Sequence, residues 1–204
     1  MHSGIILTTG ISFVLLFIAI LIIRAAKTTV RPSERYRFEK PDGARANRVS
    51  DSLSAAIRYE TVSGNLEQLS AFRDFLRGRY PLVHARMAVE VVSGGSLLFL
   101  WRGKENGRLP VLFAAHQDVV PAGEGWRHPP FSGERKDGKV WGRGAIDCKN
   151  VVISLLETAE ELLAGGFAPS RDIYFAFGHD EETGGSKGAA AMARLLGQRG
   201  VRLA

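Results

Sequence analysis

The chain has 204 residues, enough for one ordinary domain with a sizeable core and a short extra segment. Hydrophobic residues make up 45% and charged residues 24%, the balance of a globular protein, which excludes wholesale disorder. The net charge of +6 is concentrated: Arg24 to Arg48 holds eight Lys/Arg against three Asp/Glu, leaving only +1 elsewhere, so no nucleic-acid partner is expected. A lone cysteine, Cys148, excludes an internal disulfide framework and a cysteine zinc knuckle.

Gly4 to Ile23 is an uncharged apolar run closed by Arg24 and Lys27. As a helix it would be roughly 30 Å long, a bilayer's hydrocarbon thickness, and it lacks the basic start and small-x-small exit of a signal peptide. The expectation is an uncleaved single-pass transmembrane anchor over residues 1–24 and a membrane localisation, with the side of the membrane left open. Residues 25–48, with Pro32, Pro41 and many charges, read as a basic solvated linker, and the folded part starts near Val49.

Helical spacing covers Ser50–Arg58 and Leu66–Arg79, the second with Leu66, Leu69, Phe72 and Leu76 on one face. Val83–Val92, Ser96–Trp101 and Pro110–Ala115 read as strands, with Gly94-Gly95 turning the first into the second. Asn150–Ala164 is the clearest helix, stopped by Gly165-Gly166; Arg171–Phe177 is a strand and Ser186–Leu196 a further helix. Strands alternating with helices predict an α/β fold with a largely parallel sheet and flanking helices.

Chemistry gathers where apolar runs stop. His116-Gln-Asp118 follows Val111-Leu-Phe-Ala-Ala, Asp147 lies after the glycine-bounded turn Gly142-Arg-Gly144, and Glu181-Glu182 follows Asp172-Ile-Tyr-Phe-Ala-Phe. In open α/β sheets ligands bind beyond the carboxyl ends of strands, where His116 and the two glutamates fall. One imidazole and several carboxylates there suit divalent metal ions; a lone His-x-Asp is usually a surface pair, but three such clusters in order are harder to assign to chance. His84 and His128 read as structural or solvated, Cys148 as a small packed thiol, and Gly184-Gly-Ser-Lys-Gly188 lacks the spacing of a phosphate loop.

His116-Gln-Asp-Val-Val-Pro121, Trp126 with Pro129-Pro-Phe131, Trp141-Gly-Arg-Gly-Ala-Ile-Asp147-Cys-Lys149 and Gly178-His-Asp-Glu-Glu182-Thr-Gly-Gly185 together resemble the zinc aminoacylase/carboxypeptidase metallopeptidase family. The likeness is to its branch of carboxypeptidase S and N-acyl-amino-acid hydrolases, and it covers about residues 49–204. The resemblance implies a zinc-peptidase-like catalytic domain of which these residues are the N-terminal part. It implies that His116 ligates one of two zinc ions, that Asp147 bridges both and that Glu182 ligates the other. It further implies Glu181 as general base, Asp118 as the group orienting His116, and a non-proline cis peptide after Asp147. Family members carry a further Asp ligand and a late His ligand, together with an inserted lid or dimerisation domain through which a homodimer is possible. None of these is found in residues 49–204, so weak zinc binding and little or no activity are expected of this chain alone. The substrate implied is a peptide or N-acyl amino acid; Trp126 and Phe131 read either as shaping the site entrance or, equally, as core residues. A non-catalytic membrane-tethered module retaining the fold is the alternative.

Overall fold

The computed structural model describes residues 2–27, 42–105 and 107–204, with side chains described from residue 14. Most of the expected linker, residues 28–41, lies outside the described residues. Two compact units are present, residues 1–41 and 42–204.

The first unit contributes α1 (His2–Lys27). Among the described residues no helix is long and apolar enough to cross a membrane. The expected anchor at 1–24 and the membrane localisation built on it are therefore corrected.

The second unit opens with α2 (Gly43–Ile57), which starts seven residues earlier than its apolar spacing predicts because the Asp42 side chain accepts the Ala44 N–H at the helix start. Asn65 caps α3 (Leu66–Arg79) in the same manner, accepting the Gln68 N–H. The strand expected over 83–92 is instead two elements: α4 (Pro81–Arg86), then β1 (Ala88–Val92). Pro81 sits at the first helical turn, where its missing N–H costs nothing, and Glu160 accepts the free N–H groups of Leu82 and Val83. These contacts come from across the fold and are invisible to local periodicity. His84 is thus helical, its Nδ1 2.9 Å from the Tyr80 carbonyl.

β2 (Ser96–Trp101), β3 (Val111–His116) and β6 (Ile173–Gly178) complete a four-stranded sheet of order β1-β2-β6-β3. Only β3 and β6 are parallel; β1–β2 and β2–β6 are antiparallel, so the largely parallel sheet expected from the sequence is a mixed one. The Gly94-Gly95 hairpin forces the first reversal. A small hairpin, β4 (Arg135–Lys136) with β5 (Lys139–Val140), precedes α5 (Lys149–Ala164), and α6 (Ala189–Gln198) closes the chain. One sheet face buries Leu97, Phe99, Phe175 and Phe177 with Phe72, Leu76, Val152 and Leu156, and the other buries Leu98, Tyr174 and Ala176 under Met192 and Leu196 of α6. The parallel pairing in register His116↔Gly178 brings the carboxyl ends of β3 and β6 to the same edge. Both chemistry-bearing loops therefore leave the sheet side by side.

Candidate metal centre

His116 is the last residue of β3 and 6% exposed. Its Nδ1 lies 2.9 Å from the backbone carbonyl of Asp118 and 3.4 Å from Asp118 Oδ1, so Nδ1–H donates to the carbonyl and Nε2 faces the acidic groups. Nε2 stands 2.9 Å from Asp147 Oδ1 and 3.9 Å from Glu181 Oε2. The side chains of Asp147 and Glu181 are 76% and 58% exposed, open to a ligand, whereas those of His116 and Asp118 are held in the interior. Hydrogen bonding to Asp118 foremost, then Cys148, outweighs burial and with Asp147 pushes the imidazole pKa up to about 12. The same arrangement of negative charge that favours a proton favours a divalent cation.

Among the described residues, potential ligand atoms fall into two groups, each within 4.8 Å, His116 with Glu181 and Glu182, and His116 with Asp147 and Cys148. His116 belongs to both. The peptide between Asp147 and Cys148 is cis. Cys148 is half-buried, and its Sγ accepts the backbone N–H of His116 at 3.2 Å, so this thiol ties the loop before α5 to the end of β3. One nitrogen with several carboxylate oxygens is a donor set suited to zinc.

Asp118 is fully buried. Burial alone would raise its carboxyl pKa, but hydrogen bonds from His116, Ser63 and the amides of Glu181 and Glu182 outweigh it and hold the pKa below the ordinary carboxylate value. The imidazole's nearest anchor is the Asp118 carbonyl, while the carboxylate reaches on to the glutamate turn. Glu181–Thr183 form one turn of 3₁₀-helix, behind which Asp180 accepts the N–H groups of Lys187 and Gly188 at 2.8 Å each. A Cβ at Gly188 would stand 2.4 Å from Asp180 Oδ1, so a glycine is needed for that approach.

Several supporting residues escaped the sequence reading. Gln117 is wholly buried and its Nε2 donates to the carbonyls of Gly95 and Phe177, pinning the β3 end to the β1–β2 turn and to β6. Lys149 is likewise buried, its Nζ donating to the carbonyls of Ala56 (3.0 Å) and Tyr59 (2.6 Å) at the end of α2, and burial pushes its pKa down to about 7. A lysine beside Asp147 reads in sequence as a solvated charge; only the packing of α2 on α5 shows otherwise. Ser63 lay in a segment with no apolar pattern to mark it.

Asp147 and Glu182 also line an open cleft of about 750 Å³, together with Trp126, Trp141, Ile146 and Arg143. Of the two aromatics, Trp126 lines this cleft, with the Arg143 guanidinium 5.1 Å from its ring, and Phe131 does not. His128 Nδ1 lies 2.7 Å from Glu134 Oε2, and its ring lies 4.4 Å from that of Trp141.

Residues 112–203 match the family model described as Peptidase family M20/M25/M40. The chain is similar to the "Probable carboxypeptidase S-like 2" of Dictyostelium discoideum, 47% identical over 69% of this chain and 29% of that one. It is similar also to the "N-fatty-acyl-amino acid synthase/hydrolase" of Xenopus tropicalis, 40% identical over 92% of this chain and 39% of the relative. The chain thus spans roughly a third of the length of these curated relatives. Among solved structures, the M20 family metallo-carboxypeptidase Sso-CP2 from Sulfolobus solfataricus shares the fold with a TM-score of 0.61 at 17% identity, over 76% of this chain and 35% of that one. With its motifs set on that fold at the ends of β3 and β6, the chain belongs to peptidase family M20/M25/M40, in the branch of carboxypeptidase S and the N-fatty-acyl-amino acid synthase/hydrolases.

Proposed function

We propose that residues 42–204 form the metal-binding N-terminal part of a di-zinc hydrolase that cleaves the amide bond of peptides or N-acyl amino acids. The observation that carries this reading is the convergence on His116 Nε2 of Asp147 Oδ1 at 2.9 Å and Glu181 Oε2 at 3.9 Å, with Nδ1 engaged by the Asp118 carbonyl. An imidazole so oriented offers one nitrogen outward as a ligand, its other nitrogen fixed by a partner, as metal-binding histidines generally are.

In this reading His116 would hold one zinc ion and Glu182 the other, and Asp147, with its two carboxylate oxygens, would serve both. When bound, two zinc ions supply Lewis acidity that polarises an amide carbonyl and makes a water acidic enough to attack at neutral pH. Glu181 has no part in holding zinc; its carboxylate takes the water's proton and returns it to the leaving amine nitrogen. Asp118 keeps the imidazole tautomer. Trp126, Trp141 and Ile146 supply apolar walls beside the reacting groups, which suits an acyl or side chain, and the names of the relatives point to the same substrate class.

Calorimetric titration of the chain with Zn²⁺ tests the ligand assignment. Zinc binding abolished by His116→Ala, with Glu181→Gln retaining it, is the expected result. Binding that survives His116→Ala would overturn the assignment. In the complete hydrolase of which these residues are proposed to form the N-terminal part, hydrolysis of N-acyl-phenylalanine abolished by Glu181→Gln is the corresponding test of the base.

A further inference from the structure

The carboxylate of Asp118 collects three donors from two separate segments. Oδ1 accepts the Glu181 N–H at 3.1 Å, and Oδ2 accepts the Glu182 N–H at 3.2 Å and the Ser63 hydroxyl at 2.7 Å. Successive amides at the start of a helical turn lack partners within the turn. Here one buried carboxylate from the β3 loop satisfies both, and so sets the direction from which Glu181 and Glu182 leave the backbone. Of the three, the bond from Ser63 is the shortest and the only one from outside the turn.

Ser63 is itself held firmly. Its N–H donates to the Val119 carbonyl at 3.1 Å, Val62 pairs with Val119 in a parallel bridge, and the Thr61 hydroxyl donates to the Gln117 carbonyl at 2.6 Å. The segment 61–63 thus runs alongside 117–119 like a short added strand. Rotation of the Asp118 carboxylate would carry Oδ1 and Oδ2 away from the glutamate amides, and the bond from the Ser63 hydroxyl to Oδ2 opposes that rotation.

We propose that Ser63 is a positioning residue of the metal centre, which by fixing the Asp118 carboxylate fixes the turn that presents Glu181 and Glu182 beside His116. The role in metal binding rests on the zinc reading above; the link from Ser63 to the turn does not. Ser63 touches neither metal nor substrate, and its effect passes wholly through Asp118.

Amide hydrogen exchange of the 204-residue chain tests the link directly, and calorimetric Zn²⁺ titration tests its consequence. In Ser63→Ala the amides of Glu181 and Glu182 should exchange about tenfold faster, with those of β6 and α5 unchanged. Zinc affinity should fall about tenfold, the lower end of what loss of a ligand's supporting partner costs. Ser63→Thr, which keeps the hydroxyl, should restore both. Unchanged exchange at 181 and 182 in the alanine variant would overturn the proposal, as would acceleration spread through β6 and α5, the mark of general loosening. Local acceleration with undiminished zinc affinity would also overturn it. If the unsubstituted chain takes up no zinc, the metal reading fails, and the exchange arm still decides whether Ser63 holds the turn.

Discussion

Glu157 of α5 offers the sharpest test of how the metal centre is supported, because its carboxylate ties the helix that begins next to Cys148 to the helices packed on it. It is 6% exposed, accepts the Ser52 hydroxyl and, at 3.3 Å, the Tyr80 hydroxyl, and pairs with Arg48 Nε at 3.1 Å and Arg79 Nε at 3.7 Å. Glu157→Ala removes all four contacts at unequal cost. The Ser52 hydroxyl can turn to the Arg48 carbonyl 3.0 Å away, and the side chains of Arg48 and Arg79, 44% and 37% exposed, rehydrate. Tyr80, 1% exposed, is cut off from water and keeps only the Ser52 hydroxyl beside it. A buried unsatisfied hydroxyl costs about 1–3 kcal/mol, and the void left by the side chain about 1 kcal/mol more, so about 2.5 kcal/mol is expected. For a domain of this size that lowers Tm by roughly 8 °C. Glu157→Gln keeps an acceptor for Ser52 and Tyr80 and gives up only the half-exposed ion pairs, so about 1 kcal/mol is expected. Thermal and urea denaturation of both variants decides the matter. A glutamine variant as unstable as the alanine one would show that charge, not satisfaction of the buried hydroxyl, holds α5, and the reasoning would fall.

Tyr80 gives a related pH prediction. Burial first, then the charge of Glu157, raises its phenol pKa well above the ordinary 10, so the unfolded chain gives up this proton before the folded one does. Its stabilising contribution is complete below pH 10 and lost as pH rises beyond it; stability measured by urea between pH 9 and 12 should fall, and Tyr80→Phe should fall less steeply. Gly188→Ala places a Cβ 2.4 Å from Asp180 Oδ1 and 3.2 Å from Gly178 Cα, dislodging the carboxylate from the Lys187 and Gly188 amides. The expected loss is roughly 2–3 kcal/mol, and an unchanged urea midpoint would refute it. Arg143→Ala removes the guanidinium 5.1 Å from the Trp126 ring and its bonds to the carbonyls of Pro121 and Ala122, for roughly 1 kcal/mol. With Trp101 and Trp141 replaced by phenylalanine, Trp126 emission should move to the red, and an unmoved spectrum would count against the contact.

What could be read from the sequence was whatever a side chain's type and local period encode. α3 and α5 have apolar stripes and end signals within their own residues, and they lie where the pattern places them. α4 does not: its start is completed by Glu160, which is 78 positions from Leu82, and no window around Pro81 contains that information. Strand direction was misjudged for a similar reason, since β2 and β6 lie antiparallel although a long stretch containing β3, the β4–β5 hairpin and α5 separates them. Strand and helix alternation in the chain does not fix neighbours in the sheet. The site itself was more legible than its support. His116, Asp118, Asp147, Glu181 and Glu182 stand at strand ends or in a glycine turn, places where polar residues interrupt apolar runs. Ser63, Gln117 and Lys149 look like ordinary polar residues until burial and partners are known.

That difference bears on how the centre is built. The carboxylates of Asp147 and Glu181 are exposed and Glu182 is partly so, whereas the groups fixing the centre are not: Asp118, Gln117 and Lys149 are 0% exposed, and Asp180 is 8% exposed. Each spans two segments with hydrogen bonds to backbone groups, as Asp118 does to the Glu181 and Glu182 amides and Lys149 to the Ala56 and Tyr59 carbonyls. Such buried bonds cost little while satisfied and much when half removed, which makes them directional in a way apolar packing is not. A cluster of mutually repelling carboxylates requires that kind of restraint, since packing alone would let Glu181 and Glu182 turn away into water. The order of effects follows. Substitutions in the apolar core should lower stability with little change in zinc affinity per folded chain, while substitutions at the buried polar ties should lower affinity more than their cost in stability would imply.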